Sequence, residues 1–308
     1  MTSSDRDPGL SVHVVMVNYN SSGYVAHCLR SMPENGVGRI VVVDNASAAE
    51  DREHLAAVAA DNDRVEVLWS AANVGFGAGV NAGVRHLDPA DDDVFVVLNP
   101  DTRVLEGAFE ALAAALRAGT FDVVSPVIYT GEAGAPAVWF GGGEMDLRRG
   151  ETVHIDLGRT GRAQIGNRAI SFVTGAAPAM TGRTWRDVGG FREDLFLYWE
   201  DADFSLRAVA QGKRLGLAGD APIWHEEGGS GGGRGRSAAY HYYMQRNRLL
   251  VLRPIVGLRP LLVGSGTGPT LRLVARAALE PQARWRKVRL SLLGLCDGIR
   301  GRTGARPV

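Results

Sequence analysis

Four short apolar runs, each closed by polar residues and followed by helical spacing, constrain the first hundred residues of this 308-residue chain. They are Val12 to Val17, Arg39 to Val43 (RIVVV), Val65 to Trp69 and Val94 to Leu98 (VFVVL). Continuous β-branched runs suit strands covered on both faces, as in parallel sheets. The segments between them place Val25, Ala26, Leu29 and Met32 on one helix, and Leu55 and Val58 on a second that Ser47 is expected to cap. A third helix is expected from the loop at Asn73 to Gly79 as far as His86. This repetition predicts an α/β fold: a mostly parallel central sheet, right-handed crossovers and helices on both faces.

In open sheets of this kind ligands bind beyond the carboxyl ends of the strands. Asn18 and Asn20, Asp44, and Asp101 fall there. Asp101 follows Asn99-Pro100, so on this stretch a metal or phosphate site and a turn aspartate are both open readings. The Asn73–Gly79 loop offers backbone N–H groups beside a helix N-terminus, an arrangement that favours anions. Its Gly75-x-Gly77 spacing is like part of a dinucleotide fingerprint but follows the third strand, not the first. Close packing is the competing account of these glycines.

Beyond residue 100 the reading is an Ala-rich helix at Leu105 to Leu116, a strand at Asp122 to Val127, and a looser stretch from Gly131 to Arg168. That stretch contains Trp139 and reads as a hairpin region or a substrate-facing insertion. A strand is expected at Ile170 to Thr174, leading into Gly175-Ala176, then a short helix and turn at Trp185 to Phe191. The aromatics Phe196, Tyr198 and Trp199 precede three carboxylates, Glu200, Asp201 and Asp203, on a segment of helical spacing. A carboxylate beside aromatic surface can have a raised pKa and act as a general base; acids at a helix start also simply complement its dipole. Two short strands, Arg214 to Ala218 and Ala221 to Trp224, deliver His225, as a surface histidine or as a ligand.

Lys and Arg balance Asp and Glu at 34 each, but from Arg234 onward there are fifteen basic residues and two acids, Glu280 and Asp297. An acidic body thus carries a basic tail, and the expected units are residues 1–233 and a helical extension, 234–308. Tyr240 to Leu252 and Leu271 to Leu295 read as amphipathic helices with Arg on one face. Such helices lie on anionic membrane surfaces; packing on the body or on a second subunit is the alternative. Nucleic acid is not expected, because no recognition motif accompanies the charge. The N-terminus lacks the apolar core of a signal peptide, no apolar run is long enough for a spanning helix, and Cys28 and Cys296 suggest no disulfide framework. A cytoplasmic location, peripheral on the inner face of the membrane, is the expectation.

The motifs VVMVNYNSS, VVVDNAS, NVGFGAGVNAG, VVLNPDT, TGAAPAM, LYWEDADFSLR and IWH occur in this order between Val14 and His225. The pattern resembles the inverting family 2 glycosyltransferases of the GT-A fold, particularly their rhamnosyltransferase-like branch, over roughly Val12 to Arg253. The resemblance implies sugar transfer from a UDP- or dTDP-activated donor to a hydroxyl of a glycan, a lipid-linked saccharide or a secondary metabolite. It puts Tyr19, Asn20, Asp44, Asn73, Gly75, Gly77 and Asn81 around the nucleotide. Asp101 would hold a divalent cation, Mg2+ or Mn2+, with His225 completing the site, and Asp201, paired with Glu200, would be the catalytic base. Thr174, Gly175, Ala176 and Trp199 would border donor sugar and acceptor, with Trp139 on the acceptor side. Asn99 stands where many members carry Asp, and an amide is a weaker ligand for such a cation. The six-glycine segment Gly228 to Gly235, with Arg234 and Arg236, is a candidate lid over the diphosphate. Two other classes stay open: a nicotinamide-dependent oxidoreductase built on Gly75-x-Gly77, and a non-catalytic nucleotide-sugar-binding or membrane scaffold protein.

Overall fold

The computed structural model describes residues 11–132, 134–161, 165–226 and 235–307. The elements to residue 104 are β1 (Val12–Asn18), α1 (Ser22–Ser31), β2 (Val37–Asp44), α2 (Ala49–Ala60), β3 (Val65–Trp69), α3 (Phe76–Leu87), β4 (Val94–Val97) and β5 (Thr102–Val104). Then come α4 (Ala108–Arg117), β6 (Val123–Glu132), β7 (Ala135–Phe140), β8 (Gly143–Asp146), β9 (Glu151–His154), β10 (Arg168–Ile170) and β11 (Ala179–Thr181). The remainder is α5 (Gly182–Val188), α6 (Glu200–Ala210), β12 (Leu215–His225), α7 (Ala238–Val256), α8 (Leu258–Leu262), α9 (Thr267–Ala278) and α10 (Arg284–Arg300).

One sheet runs in the order β10-β12-β6-β11-β4-β1-β2-β3. The four strands read from the first apolar runs are parallel throughout. Antiparallel β11 joins β4 to β6, and β6 is parallel to β12. β4 is buried on both faces, as its unbroken apolar run requires. α3 lies against β1 and β2 because Gly79 and Gly83 bring its backbone onto Val17, Val15 and Val43; a methyl on Gly83 would fall 2.6 Å from Val15. The loose stretch contains β7 and the β8–β9 hairpin.

The structure corrects several local expectations. Ser47 does not cap α2, whose N-cap is Ala48; its hydroxyl instead accepts from Asn18 and the backbone N–H of Asn20. The strand expected at 170–174 lies at Arg168–Ile170. Arg214 to Trp224 forms a single strand with a register shift between Ala218 and Pro222. β5, which the sequence did not suggest, precedes α4. The helix expected from Leu271 to Leu295 is two helices, interrupted around Pro281, which cannot continue a helical ladder. α7 is not amphipathic: from Tyr240 to Leu252 only Met244 is not fully buried. Leu249, Leu250, Val251 and Leu252 belong to the same core as the sheet. Among the described residues no helix is long and apolar enough to cross a membrane, and both cysteines are free.

Candidate active site

β1 and β2 end side by side, with Asn18 opposite Asp44. The Asn18 amide donates to Asp44 Oδ2 (3.0 Å) and to Asp51 Oδ2 (2.8 Å). Asp44 has no exposed surface; its Oδ1 accepts from the Ser47 N–H (3.2 Å) and lies 3.5 Å from Arg52 Nε. Around it the rim is open: Tyr19 is half exposed, and Trp69, in register with Asp44, carries the Arg52 guanidinium on its face. Asn20 adopts a left-handed conformation, and its side-chain oxygen accepts from the Ala48 N–H (2.8 Å). Trp69 and Arg52 were not singled out from the sequence, although an aromatic residue ending the third strand was a visible signal.

Asn45, also missed, organises the next loop. Its amide donates to Asn73 Oδ1 (3.0 Å) and to the Gly75 carbonyl (3.1 Å), and its oxygen accepts from the Val74 N–H (2.9 Å). Where the sequence suggested N–H groups open to an anion, the Phe76 N–H donates to the Phe196 carbonyl (2.7 Å). Gly75, at φ +89, sits so close that a methyl would fall 2.3 Å from the Phe196 oxygen; one on Gly77 would lie 3.2 Å from the Arg192 oxygen. Asn81 bonds both ways to the Phe191 backbone (2.8 and 2.9 Å). Gly75, Gly77 and Asn81 therefore form a bed for residues 191–200, and Asn73 braces Gly75 by accepting from its N–H (3.0 Å).

That segment is strained where it meets the carboxylates. Phe196, Tyr198 and Trp199 all have positive φ, at 67, 66 and 74°, in a region that L side chains rarely occupy. It is held from outside: the Asn247 amide on α7 donates to the carbonyls of Leu195, Leu197 and Tyr198 (2.9, 2.8 and 2.8 Å), and Arg246 donates to that of Leu195 (2.7 Å). The turn ends at Glu200 and Asp201, the first residues of α6. Asp201 accepts from the backbone N–H groups of Gly175 (2.9 Å) and Ala202 (2.8 Å). Burial raises its pKa, and those N–H groups oppose the rise. Glu200 is buried too; burial, and then the neighbouring Asp201, push it up to about 8 against a smaller opposing pull from its own backbone N–H. Two backbone N–H groups thus favour the charged form of Asp201. Trp199 is buried in the core, and Thr174 and Ala176 are buried beside Gly175.

β5 explains the second cluster. It pairs antiparallel with the end of β12, setting His225 opposite Thr102, while the Glu226 N–H donates to the Asp101 carbonyl (2.8 Å). His225 Nε2 thus lies 3.4 Å from Asp101 Oδ1. Burial raises the Asp101 carboxyl and His225 pulls it back. Trp139, expected on the acceptor side, stacks on His225 with ring centres 4.8 Å apart. The Asn99 N–H donates to the Ala176 carbonyl (2.8 Å), so the turn carrying Asp101 is tied to the segment against which Asp201 rests. Four buried polar atoms without a hydrogen-bond partner among the described residues fall in these two clusters: Asp101 Oδ1, whose nearest cation is the His225 ring, His225 Nδ1, Trp199 Nε1 and Glu200 Oε2. Unpaired buried polar atoms are uncommon in folded proteins and call for a reason. Residues 228–234 of the candidate lid lie outside the described residues.

A profile of "Glycosyl transferase family 2" matches residues 13–175, a span containing the Asp44, Asn73 and Asp101 turns. The chain belongs to family 2. Within the family it is similar to a low-salt glycan biosynthesis hexosyltransferase of Haloferax volcanii, at 24% identity over 204 residues, 66% of this chain and 63% of that protein. It is also similar to an N-acetylglucosaminyl-diphospho-decaprenol L-rhamnosyltransferase of Mycobacterium tuberculosis, at 29% over 231 residues, 67% of this chain and 70% of that one. The fold is shared with GalNAc-T7, solved with UDP, GalNAc and Mn2+ (TM-score 0.64, 13% identity, 96% of this chain and 57% of the other). It is shared too with a Pyrobaculum calidifontis mannosyltransferase in complex with GDP-Man and Mn2+ (TM-score 0.53, 14% identity, 94% and 86%). These are GT-A glycosyltransferases.

Among the described residues no three His, Cys, Asp or Glu side chains gather as a protein-only metal cage. The Asp101–His225 pair, with an unpartnered nitrogen and oxygen, fits a cation held partly by substrate phosphate, because Mg2+-type sites use one or two protein ligands plus phosphate oxygens.

Proposed function

We propose that this chain transfers a sugar, with inversion, from a UDP- or dTDP-activated donor to an acceptor hydroxyl. The observation that carries the proposal is the link between the two clusters: Asp201 on the Gly175 N–H, and the adjacent Ala176 carbonyl on the turn that holds Asp101. That link supports a base working beside diphosphate-side ligands, and the family 2 match over residues 13–175 supports sugar transfer as the chemistry. Asp201 takes the proton of the acceptor hydroxyl as its oxygen attacks the anomeric carbon, and the bond to the nucleoside diphosphate breaks on the opposite side. Glu200, protonated at neutral pH, leaves the negative charge on Asp201. A Mg2+ or Mn2+ ion held by Asp101 and His225 would stabilise charge on the departing diphosphate; Asn99 beside it is the weaker ligand. Tyr19, Trp69 and Arg52 form the open rim for the base. A deoxyhexose such as rhamnose is the proposed donor sugar, supported by the rhamnosyltransferase relative, and a lipid-linked saccharide, glycan or secondary metabolite the acceptor. The oxidoreductase reading loses support, because protein backbone fills the space at Gly75 and Gly77. The four unpartnered atoms speak for a reactive site over a silent scaffold.

The test is a donor screen with Mn2+ or Mg2+ that reads free nucleoside diphosphate. Asp201→Asn should lower turnover by about 10²–10⁴-fold, the usual worth of a positioned base, with donor binding retained; unchanged turnover would remove Asp201 from the role. Asp101→Ala should weaken cation-dependent donor binding in calorimetry and leave cation-independent binding alone. Equal losses with and without the ion would count against Asp101 as a ligand.

A further inference from the structure

The carboxyl-terminal helices carry a surface whose charge has one sign. In residues 258–307 the side-chain carboxylates are Glu280 and Asp297, and both are buried. Glu280 accepts from Lys287 Nζ (2.8 Å) and lies 3.2 Å from His241 Nε2. Asp297 accepts from the Tyr242 hydroxyl (2.8 Å) and sits against Arg302 and Arg306 (3.1 and 2.9 Å). The negative charge is thus internal. Arg284, Arg286, Arg289 and Arg300 are exposed and have no carboxylate partner among the described residues. Arg272 and Arg276 contribute less, since one pairs with Glu151 and the other donates to the Tyr240 hydroxyl.

Large apolar side chains are exposed on the same stretch of chain. Leu279 is 84% exposed, Trp285 73% and Leu271 63%, and Leu292 and Ile299 are exposed along α10. Positions 285, 289, 292, 296 and 299 follow one side of a helix. The opposite side is locked against α7: a methyl on Gly294 would fall 2.3 Å from the Tyr242 carbonyl oxygen, and one on Gly298 2.8 Å from that of Arg246. α10 cannot roll to bury its exposed row. A helix face that mixes Arg with Trp and Leu, and carries no exposed acid, matches the boundary of an anionic bilayer, where arginines meet headgroups and apolar tips enter the acyl edge.

We propose that the outer surfaces of α9 and α10 dock on an anionic lipid bilayer, with Trp285, Leu279 and Leu271 as the apolar contacts and Arg284, Arg286, Arg289 and Arg300 as the headgroup contacts. A second copy is the poorer occupant, because a two-fold contact sets the same arginines against one another. Nucleic acid is poorer as well: phosphates match the arginines but leave the Leu and Trp side chains in water. The docking is independent of the proposed chemistry.

Full-length protein is sedimented with phosphatidylcholine vesicles, with and without phosphatidylglycerol, at low and high salt. Binding is expected only to the anionic vesicles and should weaken with salt. Arg286→Glu with Arg289→Glu should weaken it at least about fivefold per arginine, the fold-change for roughly 1 kcal/mol each. Trp285→Ala with Leu279→Ala should weaken it without changing net charge. Arg30→Glu with Arg117→Glu, an equal charge change on exposed positions of α1 and α4, should leave it intact. All these side chains are exposed, so thermal midpoints should match the parent. Absence of vesicle binding overturns the proposal. So does equal loss in the control pair, preference for a short nucleic-acid duplex over vesicles, or a dimer in light scattering that Trp285→Ala with Leu279→Ala dissociates.

Discussion

Glu200 and Asp201 are adjacent in sequence but differ in what stabilises their charge: two N–H groups face Asp201, whereas one Glu200 oxygen has no partner among the described residues. A carboxyl raised from an ordinary 4.5 to about 8 keeps its proton in the folded chain across a range where the unfolded chain has released it. Stability therefore falls as pH rises through that window, by at most about 1.4 kcal/mol per pH unit. Glu200→Gln should remove this decline. Thermal unfolding followed from pH 5 to 8 should show the variant gaining on the parent as pH increases; parallel curves would mean that Glu200 is ionised in the folded state. The chemistry-bearing residue types were legible at this scale, since Asp101, Asp201 and His225 stood out as carboxylates and a histidine at element ends. Their pairings were not, because Trp139 on His225 and Gly175 on Asp201 are contacts between segments far apart in the chain.

At the scale of elements, the strained turn at 196–199 depends on α7. Truncating Asn247→Ala leaves the carbonyls of Leu195, Leu197 and Tyr198 without that donor, at a cost of about 1–3 kcal/mol. Because the same turn delivers Glu200 and Asp201, turnover should fall along with stability, while the Asp44 end of the proposed nucleotide site, which makes no contact with Asn247, should keep its share of nucleotide affinity. Urea unfolding together with diphosphate release measures both, and full turnover in a folded variant would separate the turn from catalysis. The parallel strands and the α6 helix were readable because each is long, apolar or regularly spaced. β5 was not: Thr102–Val104 is too short to carry a period, and only its pairing with β12 makes it a strand. α7 is not legible as a buried helix because its arginines look like a polar face; Arg248 donates to the carbonyls of Gly150, Arg149 and Gly266.

For the whole molecule, composition separates an acidic body from a basic tail, yet the core runs across that division, with Leu249 and Leu252 packed into the cluster that holds β4 and β6. The body and the first tail helix share one interior, and the charge difference is a property of the surface.

The short β5–β12 pairing also bears on how the chain acquires its function. It joins segments whose ion pair, Arg103–Glu226, spans 123 residues. Loop closure of that length comes after local helices and neighbouring strands have formed. Asp101 and His225 are therefore expected to meet late in assembly. In pulse-labelled hydrogen exchange during refolding, the Glu226 amide, bonded to the Asp101 carbonyl, should gain protection after the amides of β1 and β2. The cation binding proposed for Asp101 and His225 should appear with that late phase, because a chain lacking the β5–β12 pairing would not hold the two side chains together.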